Sequence, residues 1–330
     1  MNLLKTHTRA VGIAARFLGV ILWIYIVSSL DLSRVFVAAQ RIHWTWIILT
    51  VLAVSVNIVL KAARWNLLLA NVDARLKFRD AVGTVITSAF WSSVTPGRIG
   101  ELYRFRPFVG HPERLLKALV SVVVDRSYDV ALLVIWTLVG LMSFSNLLPL
   151  QEARFYVLVL TAGSGIVCII VLLWGRIVGL VETVSLKVFP KSLLSDNRFS
   201  ATTFRSHLSL CFRRRRVRAL IISFLAFFSS FIGVYWLALG MGVHAPFLYL
   251  SVCYTLSALV SLIPISFGGL GTREAVFIYY LGRIDISAES ALLLSFTQTV
   301  AFYILLPAVF AVLFPAVLRV GRALFAGATD

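Results

Sequence analysis

The stretch Ser93 to Phe105 reads SVTPGRIGELYRF and holds one proline, two glycines, two arginines and one glutamate in thirteen positions. Its surroundings are strongly apolar. Of the 330 residues, 60% are hydrophobic and 14% are charged, and the mean hydropathy is +0.93, well outside the range of ordinary soluble domains. We therefore predict an all-α polytopic membrane protein in which this stretch interrupts a helix.

Apolar segments predict about six full transmembrane helices, because about 20 apolar residues are needed to cross roughly 30 Å of hydrocarbon. The first segment is too long and too aromatic for a cleaved signal peptide, so we interpret it as a retained span. Two further apolar segments, about 80–108 and 246–282, are each interrupted by a Pro/Gly cluster and are predicted to be broken, re-entrant helices. The six full spans are predicted at about 11–30, 44–64, 117–146, 153–174, 217–240 and 289–316.

The net charge of +17 is explained better by asymmetry across a membrane than by nucleic-acid binding. With the N-terminus inside, the outer loops hold only Arg34, Arg41, Arg154 and Arg283, which predicts cytoplasmic termini and a multi-pass protein of the cell inner membrane. The long connection from about 176 to 216 is predicted to lie at the interface on anionic inner-leaflet lipids. The inner side receives Lys5, Arg9, Arg16, Lys61, Arg64, Arg75, Lys77, Arg79, Arg104, Arg106, Arg114, Lys117, Arg319, Arg322 and the segment Arg176 to Arg218.

The two interrupted segments resemble each other. TPGRIGE at Thr95 to Glu101 and SFGGLGTRE at Ser266 to Glu274 both contain spaced glycines, an arginine and a glutamate, and both have a nearby proline. If each broken segment dips in and returns, each half of the chain crosses three times and the second half is inverted. We therefore predict two membrane repeats, 1–150 and 151–330, of the kind that recurs in transporters, with the first break entering from the cytoplasm and the second from outside.

The breaks are predicted to line a cavity, because unpaired backbone groups are too costly in lipid. Their glycines permit a tight turn, and Thr95 before Pro96 and Thr272 are predicted N-caps. A helix N-terminus flanked by Arg98 or Arg273 would suit a phosphate. The alternative is that these glycines only allow helices to pack and that Glu101 and Glu274 are neutralised by arginines. The predicted turn glycines are Gly97, Gly100, Gly268, Gly269 and Gly271.

A third charged group lies in SVVVDRSYDVALL, where Asp125, Arg126 and Asp129 enter an apolar span. Asp125 and Asp129 share a helical face, and Arg126 is about 100° away. Charges inside a membrane need partners or a polar interior. Two compatible interpretations remain open: a salt-bridge network with Arg98 or Arg104, and a lining of a substrate or proton path. For the polar residues Asn57, Gln298 and Thr299 we expect interhelical hydrogen bonds.

Taken together, TPGRIGELYRF, VVVDRSYD and PISFGGLGTREA resemble signatures of the lysylphosphatidylglycerol synthase transmembrane-domain family, also called flippase-like domain proteins, over about residues 10 to 318. The resemblance implies a lipid-transporting membrane domain. Bifunctional members move aminoacylated phosphatidylglycerol between leaflets, and stand-alone members are associated with polyprenyl-linked or other envelope lipids. Asp125 replaces a common Glu, and Phe267 stands where a Pro is frequent. The matched positions are Pro96, Gly97, Gly100, Glu101, Arg104, Asp125, Arg126, Asp129, Gly268, Gly269, Gly271, Arg273 and Glu274.

We expect a flippase for a lipid with a phosphate-containing head, either an aminoacylated phospholipid or a polyprenyl-phosphate-linked lipid. No soluble aminoacyl-transferase domain follows, so we expect no synthase activity. The cysteines and histidines lack metal-ligand spacing, so we expect no metal site, and we also expect no catalytic residues and no cofactor. Expected partners are the anionic lipid and either a second copy of the chain or an envelope-lipid biosynthetic protein, with no nucleic acid. The alternatives are an intramembrane lipid-modifying enzyme, which lacks a recognisable motif here, and a non-transporting lipid-binding subunit.

Overall fold

The computed structural model describes residues 21–40, 42–94, 99–109, 111–144, 206–211, 215–262 and 269–302, and within these ranges every regular element is a helix. Two described helices, Trp44–Asn71 and Arg216–Gly240, are long and apolar enough to cross a membrane. The number becomes three if the bent pair Ile21–Ser28 and Ser33–Gln40 is one span. The all-helical membrane protein is confirmed at this level, whereas the count of six spans, the repeat and the side of the termini stay predictions.

The helices are numbered here in chain order. Several predicted segments lie wholly or partly outside the described residues. They are the span at 153–174, residues 11–20 of the first span, residues 303–316 of the last span, and most of the interfacial segment at 176–216. The helices are α1 (Ile21–Ser28), α2 (Leu32–Gln40), α3 (Trp44–Asn71), α4 (Phe78–Val94), a 3-10 helix (Ile99–Phe108), α5 (Pro112–Ser143), α6 (Arg216–Gly240), α7 (Phe247–Val260), α8 (Thr272–Gly282) and α9 (Ala288–Val300).

Helix α3 continues seven residues beyond its predicted end. The sequence predicts an end at position 64 because Lys61 and Arg64 have the pattern of charges at a membrane surface. The sequence KAARWNLLLAN contains mostly good helix formers and no breaker, so the helix runs on to Asn71. Arg64 therefore lies within a helix.

Both predicted breaks fall between separate helices. Helix α4 ends at Val94, and the chain continues after the undescribed residues 95–98 as the 3-10 helix. In the second segment, α7 ends at Val260 and α8 begins at Thr272, with turns before α8 at 269–271. The Pro/Gly clusters thus mark helix ends correctly, and re-entry of either segment from one side of the membrane stays a prediction.

The chain divides into two compact units. The first comprises Met1–Lys61, Val82–Tyr103 and Phe224–Asp330, and the second comprises Ala62–Ala81 and Arg104–Ser223. In the first unit α8 packs against α7 and α9, and α9 packs against α2. In the second unit, the end of α3 is joined to α5 by the buried charges described below.

Within the first unit, α3 and α6 pack through small and polar residues. The Asn57 amide donates to the Ala226 carbonyl at 2.6 Å and to Ser230 Oγ at 2.9 Å, and Thr50 Oγ1 donates to the Gly233 carbonyl at 3.2 Å. Small residues let helix backbones approach closely, and polar side chains then bond across the interface. The expected interhelical role of Asn57 is confirmed.

The opposite face of α3 is apolar and exposed. Its residues recur every three or four positions, which is the spacing of one helical stripe. A continuous exposed apolar stripe on a helix of this length is typical of a surface that faces lipid hydrocarbon. The exposed residues are Trp44, Ile48, Leu52, Val56 and Val59.

The ends of α3 and α6 are built alike, and the end of α8 has the same pattern, with a φ of 60° at Asp285 and the Ile286 amide donating to the Leu281 carbonyl at 3.1 Å. After α3, Asp73 has a left-handed φ of 56° and the Ala74 amide donates to the Leu69 carbonyl at 2.9 Å; after α6, Gly242 has a φ of 71° and the Val243 amide donates to the Ala238 carbonyl at 2.9 Å. This is the hydrogen-bond pattern of a left-handed helix C-cap. The next helices, α4 and α7, start at Phe78 and Phe247, so the two helix–cap–helix units have connections of equal length.

Candidate functional site

Helix α5 carries a fully buried carboxylate at Asp125. Its Oδ1 lies 2.7 Å from Arg64 Nε on α3, and its Oδ2 lies 2.6 Å from Arg104 Nη1 in the 3-10 helix. Arg126 Nη2 approaches the same Oδ2 at 3.2 Å. A carboxylate removed from solvent is stable in its charged form only when cations and hydrogen-bond donors surround it, and here three guanidinium groups do so.

Asp129 lies one helical turn further along α5 and shares two of these arginines. Its Oδ1 is 2.7 Å from Arg64 Nη2, and its Oδ2 is 3.2 Å from Arg126 Nη1. Because the planar guanidinium presents several donors in fixed directions, Arg64 contacts both carboxylates at once. We call Arg64, Arg104, Asp125, Arg126 and Asp129 the arginine–aspartate cluster.

Neighbouring side chains hold the arginines in place. Arg64 Nη1 donates to Ser223 Oγ at 2.9 Å, which ties the end of α3 to the start of α6. The Arg104 guanidinium carbon lies 5.7 Å from the centre of the Trp65 ring, a distance typical of a cation–π contact. Trp65 Nε1 in turn donates to Ser121 Oγ on α5 at 3.0 Å.

The sequence predicted part of this cluster. The expected ion pair between Asp125 and Arg104 is confirmed, whereas Arg98, the other expected partner, lies outside the described residues. Arg126 was expected to point about 100° away from the two aspartates, yet its long side chain reaches both. Arg64 is not among the site residues that the sequence predicts. An arginine at the end of an apolar run is typical of residues that hold a span at the cytoplasmic membrane surface. The sequence does contain a signal for its place within the helix, because no helix breaker occurs between Arg64 and Asn71.

The second glycine turn is tightly built. Gly269 and Gly271 have φ angles of 90° and 82°, a region that residues with a side chain rarely adopt. A Cβ atom on Gly269 would lie 2.6 Å from Ser261 Cβ and 3.0 Å from Arg273 Nε. Glycine at 269 is therefore required both by the backbone angle and by the contact with the end of α7.

Glu274 closes the N-terminus of α8 with its own carboxylate. The side chain is fully buried; its Oε2 accepts from the Gly271 amide at 2.6 Å and its Oε1 accepts from Ser295 Oγ of α9 at 3.2 Å. The Arg273 amide donates to the Gly269 carbonyl at 2.9 Å. The helix tip that the sequence predicts to suit a phosphate thus has its Gly271 amide already bonded to a carboxylate of the protein itself.

The prediction that Thr272 caps α8 is wrong. The N-cap residue is Gly271, and Thr272 is the first helical residue, whose Oγ1 donates to the Gly269 carbonyl at 3.0 Å. The observed N-cap is one residue earlier than the predicted one. Its backbone has a positive φ, which glycine adopts easily and threonine does not.

Arg273 is 95% buried rather than open to a headgroup, since only 5% of its surface is exposed. Its Nη1 donates to Thr299 Oγ1 of α9 at 3.3 Å, and Thr299 Oγ1 donates to the Ser295 carbonyl at 3.0 Å. The expected interhelical role of Thr299 is therefore confirmed, and Gln298 beside it is buried. Glu274, Arg273 and α9 form a second polar group inside the first unit.

The first break is described only from position 99 onwards. Gly100 lies so close to α4 that a Cβ atom would overlap the backbone of Trp91 and Ser92, which explains a glycine at this position. Glu101 is partly exposed. The other predicted residues of the two turns, Thr95, Pro96, Gly97, Arg98 and Gly268, lie outside the described residues.

Comparison with known proteins finds a family match over nearly the whole chain. The family described as the lysylphosphatidylglycerol synthase TM region matches residues 10–309. A UPF0104 membrane protein of Pyrococcus horikoshii is 24% identical over 286 residues, covering 78% of this chain and 83% of the relative. A UPF0104 membrane protein of Methanothermobacter thermautotrophicus is 24% identical over 280 residues, covering 76% of this chain and 77% of the relative.

Proposed function

Because the chain belongs to the family of the lysylphosphatidylglycerol synthase TM region, we propose that it moves a lipid with a phosphate-containing head across the cytoplasmic membrane. The lipid class is an aminoacylated phospholipid or a polyprenyl-phosphate-linked envelope lipid. The role is transport rather than catalysis.

The observation that carries this proposal is the arginine–aspartate cluster. Asp125 and Arg64 are fully buried, and Arg104 and Asp129 are at most 6% exposed, in a chain of which 60% of the residues are hydrophobic. Charges at such positions are costly in a bilayer and are usually retained where a polar path or a ligand needs them. Guanidinium groups suit phosphate because they bind its oxygens in pairs.

The second glycine turn supports the same function, but its anion site is occupied by a side chain of the protein. Helix N-termini bind anions, and Glu274 supplies an anion of the protein's own at the tip of α8. A lipid phosphate that binds at this tip has to replace the Glu274 carboxylate. In this proposal, release of Glu274 from the Gly271 amide accompanies loading of the lipid head.

The test is headgroup movement by the purified protein in liposomes. The probe is phosphatidylglycerol, which has the phosphate diester and the acyl chains of the aminoacylated class. A trace of it with a fluorescent label on one acyl chain, close to the head, is added to both leaflets, and a membrane-impermeant reductant destroys the label in the outer leaflet. With the protein present, we expect the protected half of the signal to decay as lipid crosses. Protein-free liposomes are the control.

Two other results would contradict the proposal. Stable binding of the lipid with a fully protected inner leaflet would favour a non-transporting lipid-binding subunit, a role compatible with the cluster as a purely structural network. Chemical change of the lipid, detected by mass spectrometry after incubation, would favour an intramembrane lipid-modifying enzyme.

A further inference from the structure

Arg126 differs from the other two arginines of the cluster in exposure. Its side chain is 27% exposed, whereas the Arg64 and Arg104 side chains are 0% and 4% exposed. Its two ion pairs, each 3.2 Å long, are also longer than the pairs of Arg64 and Arg104, which measure 2.6 to 2.7 Å. Of the three guanidinium groups, that of Arg126 is therefore the most accessible and the least tightly held by the aspartates.

The cluster keeps short ion pairs when Arg126 is taken away. Asp125 retains Arg64 at 2.7 Å and Arg104 at 2.6 Å, and Asp129 retains Arg64 at 2.7 Å. Neither carboxylate would be left buried without a cation, which is the costly situation for a buried charge. Departure of Arg64, in contrast, would remove a short pair from both aspartates at once.

We propose that Arg126 is the residue of the cluster that binds phosphate, by exchanging its two aspartate partners for two phosphate oxygens. This inference rests on the proposed function. Arg64 and Arg104 are positioning residues that keep Asp125 and Asp129 charged during the exchange. The aspartates hold the Arg126 guanidinium in the absence of phosphate, so its charge is never left without an anion. The ligand chemistry is a phosphate mono- or diester, carried by a lipid head or by free phosphate.

The test compares binding of phosphatidylglycerol and of diacylglycerol, which has the same acyl chains and no phosphate. The protein in a phosphate-free maltoside detergent is titrated with each lipid, and the bound fraction is read by native mass spectrometry. We expect binding of phosphatidylglycerol to weaken about tenfold or more in Arg126→Gln and by less in Arg126→Lys, because a charge-assisted pair of hydrogen bonds is lost or halved. Binding of diacylglycerol should not change in either variant.

Arg114→Gln is the matched control, since Arg114 lies exposed on the same helix and near the Phe108 ring rather than in the cluster. We expect its phosphatidylglycerol binding to stay within about twofold of the parent protein. Thermal unfolding of each variant checks that the helices stay packed. A folded Arg126→Gln protein that binds phosphatidylglycerol as the parent does would overturn the inference.

A second arm distinguishes the two sources of phosphate. Inorganic phosphate that displaces phosphatidylglycerol from the parent protein, but not from Arg126→Gln, would assign Arg126 to free phosphate as well as to lipid. No displacement, with the lipid still sensitive to Arg126, would assign it to the lipid head alone. Headgroup movement separates the two proposals: equal movement by parent and Arg126→Gln overturns only this inference, whereas no movement by the parent overturns the proposed function.

Discussion

Arg64 is the residue on which the arginine–aspartate cluster depends most. It is fully buried and contacts Asp125, Asp129 and Ser223 with three different nitrogen atoms. Removing one partner of a buried ion pair leaves an uncompensated charge, which destabilises a protein by about 3–5 kcal/mol. Because Arg64 is the short-distance partner of both aspartates, its loss affects the two carboxylates together.

Arg64→Met is therefore expected to lower the unfolding temperature in detergent strongly, and Arg64→Lys by a smaller amount, because lysine keeps the charge but cannot contact both aspartates with a planar group. Arg75→Lys is the matched control, since Arg75 is exposed just after the same helix. Equal unfolding temperatures for Arg64→Met and the control would show that the cluster does not hold these helices together.

The helix ends show how far the sequence predicts the secondary structure of this protein. The predicted segments 44–64 and 217–240 start within one residue of helices α3 and α6, because apolar length and flanking charges report directly on a membrane span. The continuation of α3 past position 64 follows from its uninterrupted helix formers, whereas the cap of α8 and the ion pairs of Arg64 were not predictable in the same way. They depend on which residue adopts a positive φ and which side chain finds a distant carboxylate, and these are properties of tertiary structure.

Two glycines at helix ends have different surroundings and predict different effects of alanine. A Cβ atom on Gly240, the last residue of α6, would lie 2.6 Å from Trp46 Cβ, whereas one on Gly282, the last residue of α8, has nothing within 4 Å. We expect Gly240→Ala to destabilise by about 1–3 kcal/mol through overpacking. Gly282→Ala should be neutral or slightly stabilising, because alanine favours the helix. Thermal unfolding in detergent measures both, and equal shifts would contradict the close contact of α6 with α3.

At the scale of the whole molecule, the two helix–cap–helix units recur at a constant spacing, as the predicted repeat requires; the repeat and its inversion stay predictions. The left-handed residues Asp73 and Gly242 are 169 positions apart, and so are the starts of the following helices at Phe78 and Phe247. Equal spacing of caps and helix starts is expected if the two halves share a fold. The charge distribution adds the expectation that the two connections lie on opposite sides of the membrane.

Orientation is tested by labelling single cysteines in a variant whose Cys168, Cys211 and Cys253 are replaced by serine. Lys77 and His244 are exposed in the two corresponding connections, and we expect position 77 to face the cytoplasm and position 244 the outside. In right-side-out vesicles, an impermeant maleimide should label His244→Cys and not Lys77→Cys until the membrane is broken. Labelling of both at the same rate in intact vesicles would contradict the inverted arrangement.

The central claim is that the arginine–aspartate cluster and the polar groups at the two helix breaks serve the movement of a lipid head. The most direct measurement is the initial rate of phosphatidylglycerol translocation in liposomes for Glu101→Gln, Glu274→Gln and Arg273→Ala beside the parent protein. Glutamine at 274 keeps an oxygen that can accept from the Gly271 amide, so the fold of α8 should persist, while the negative charge that replaces the lipid phosphate again when the head is released is lost. The account predicts that folded protein of each variant loses headgroup translocation, and normal rates in all three would contradict it.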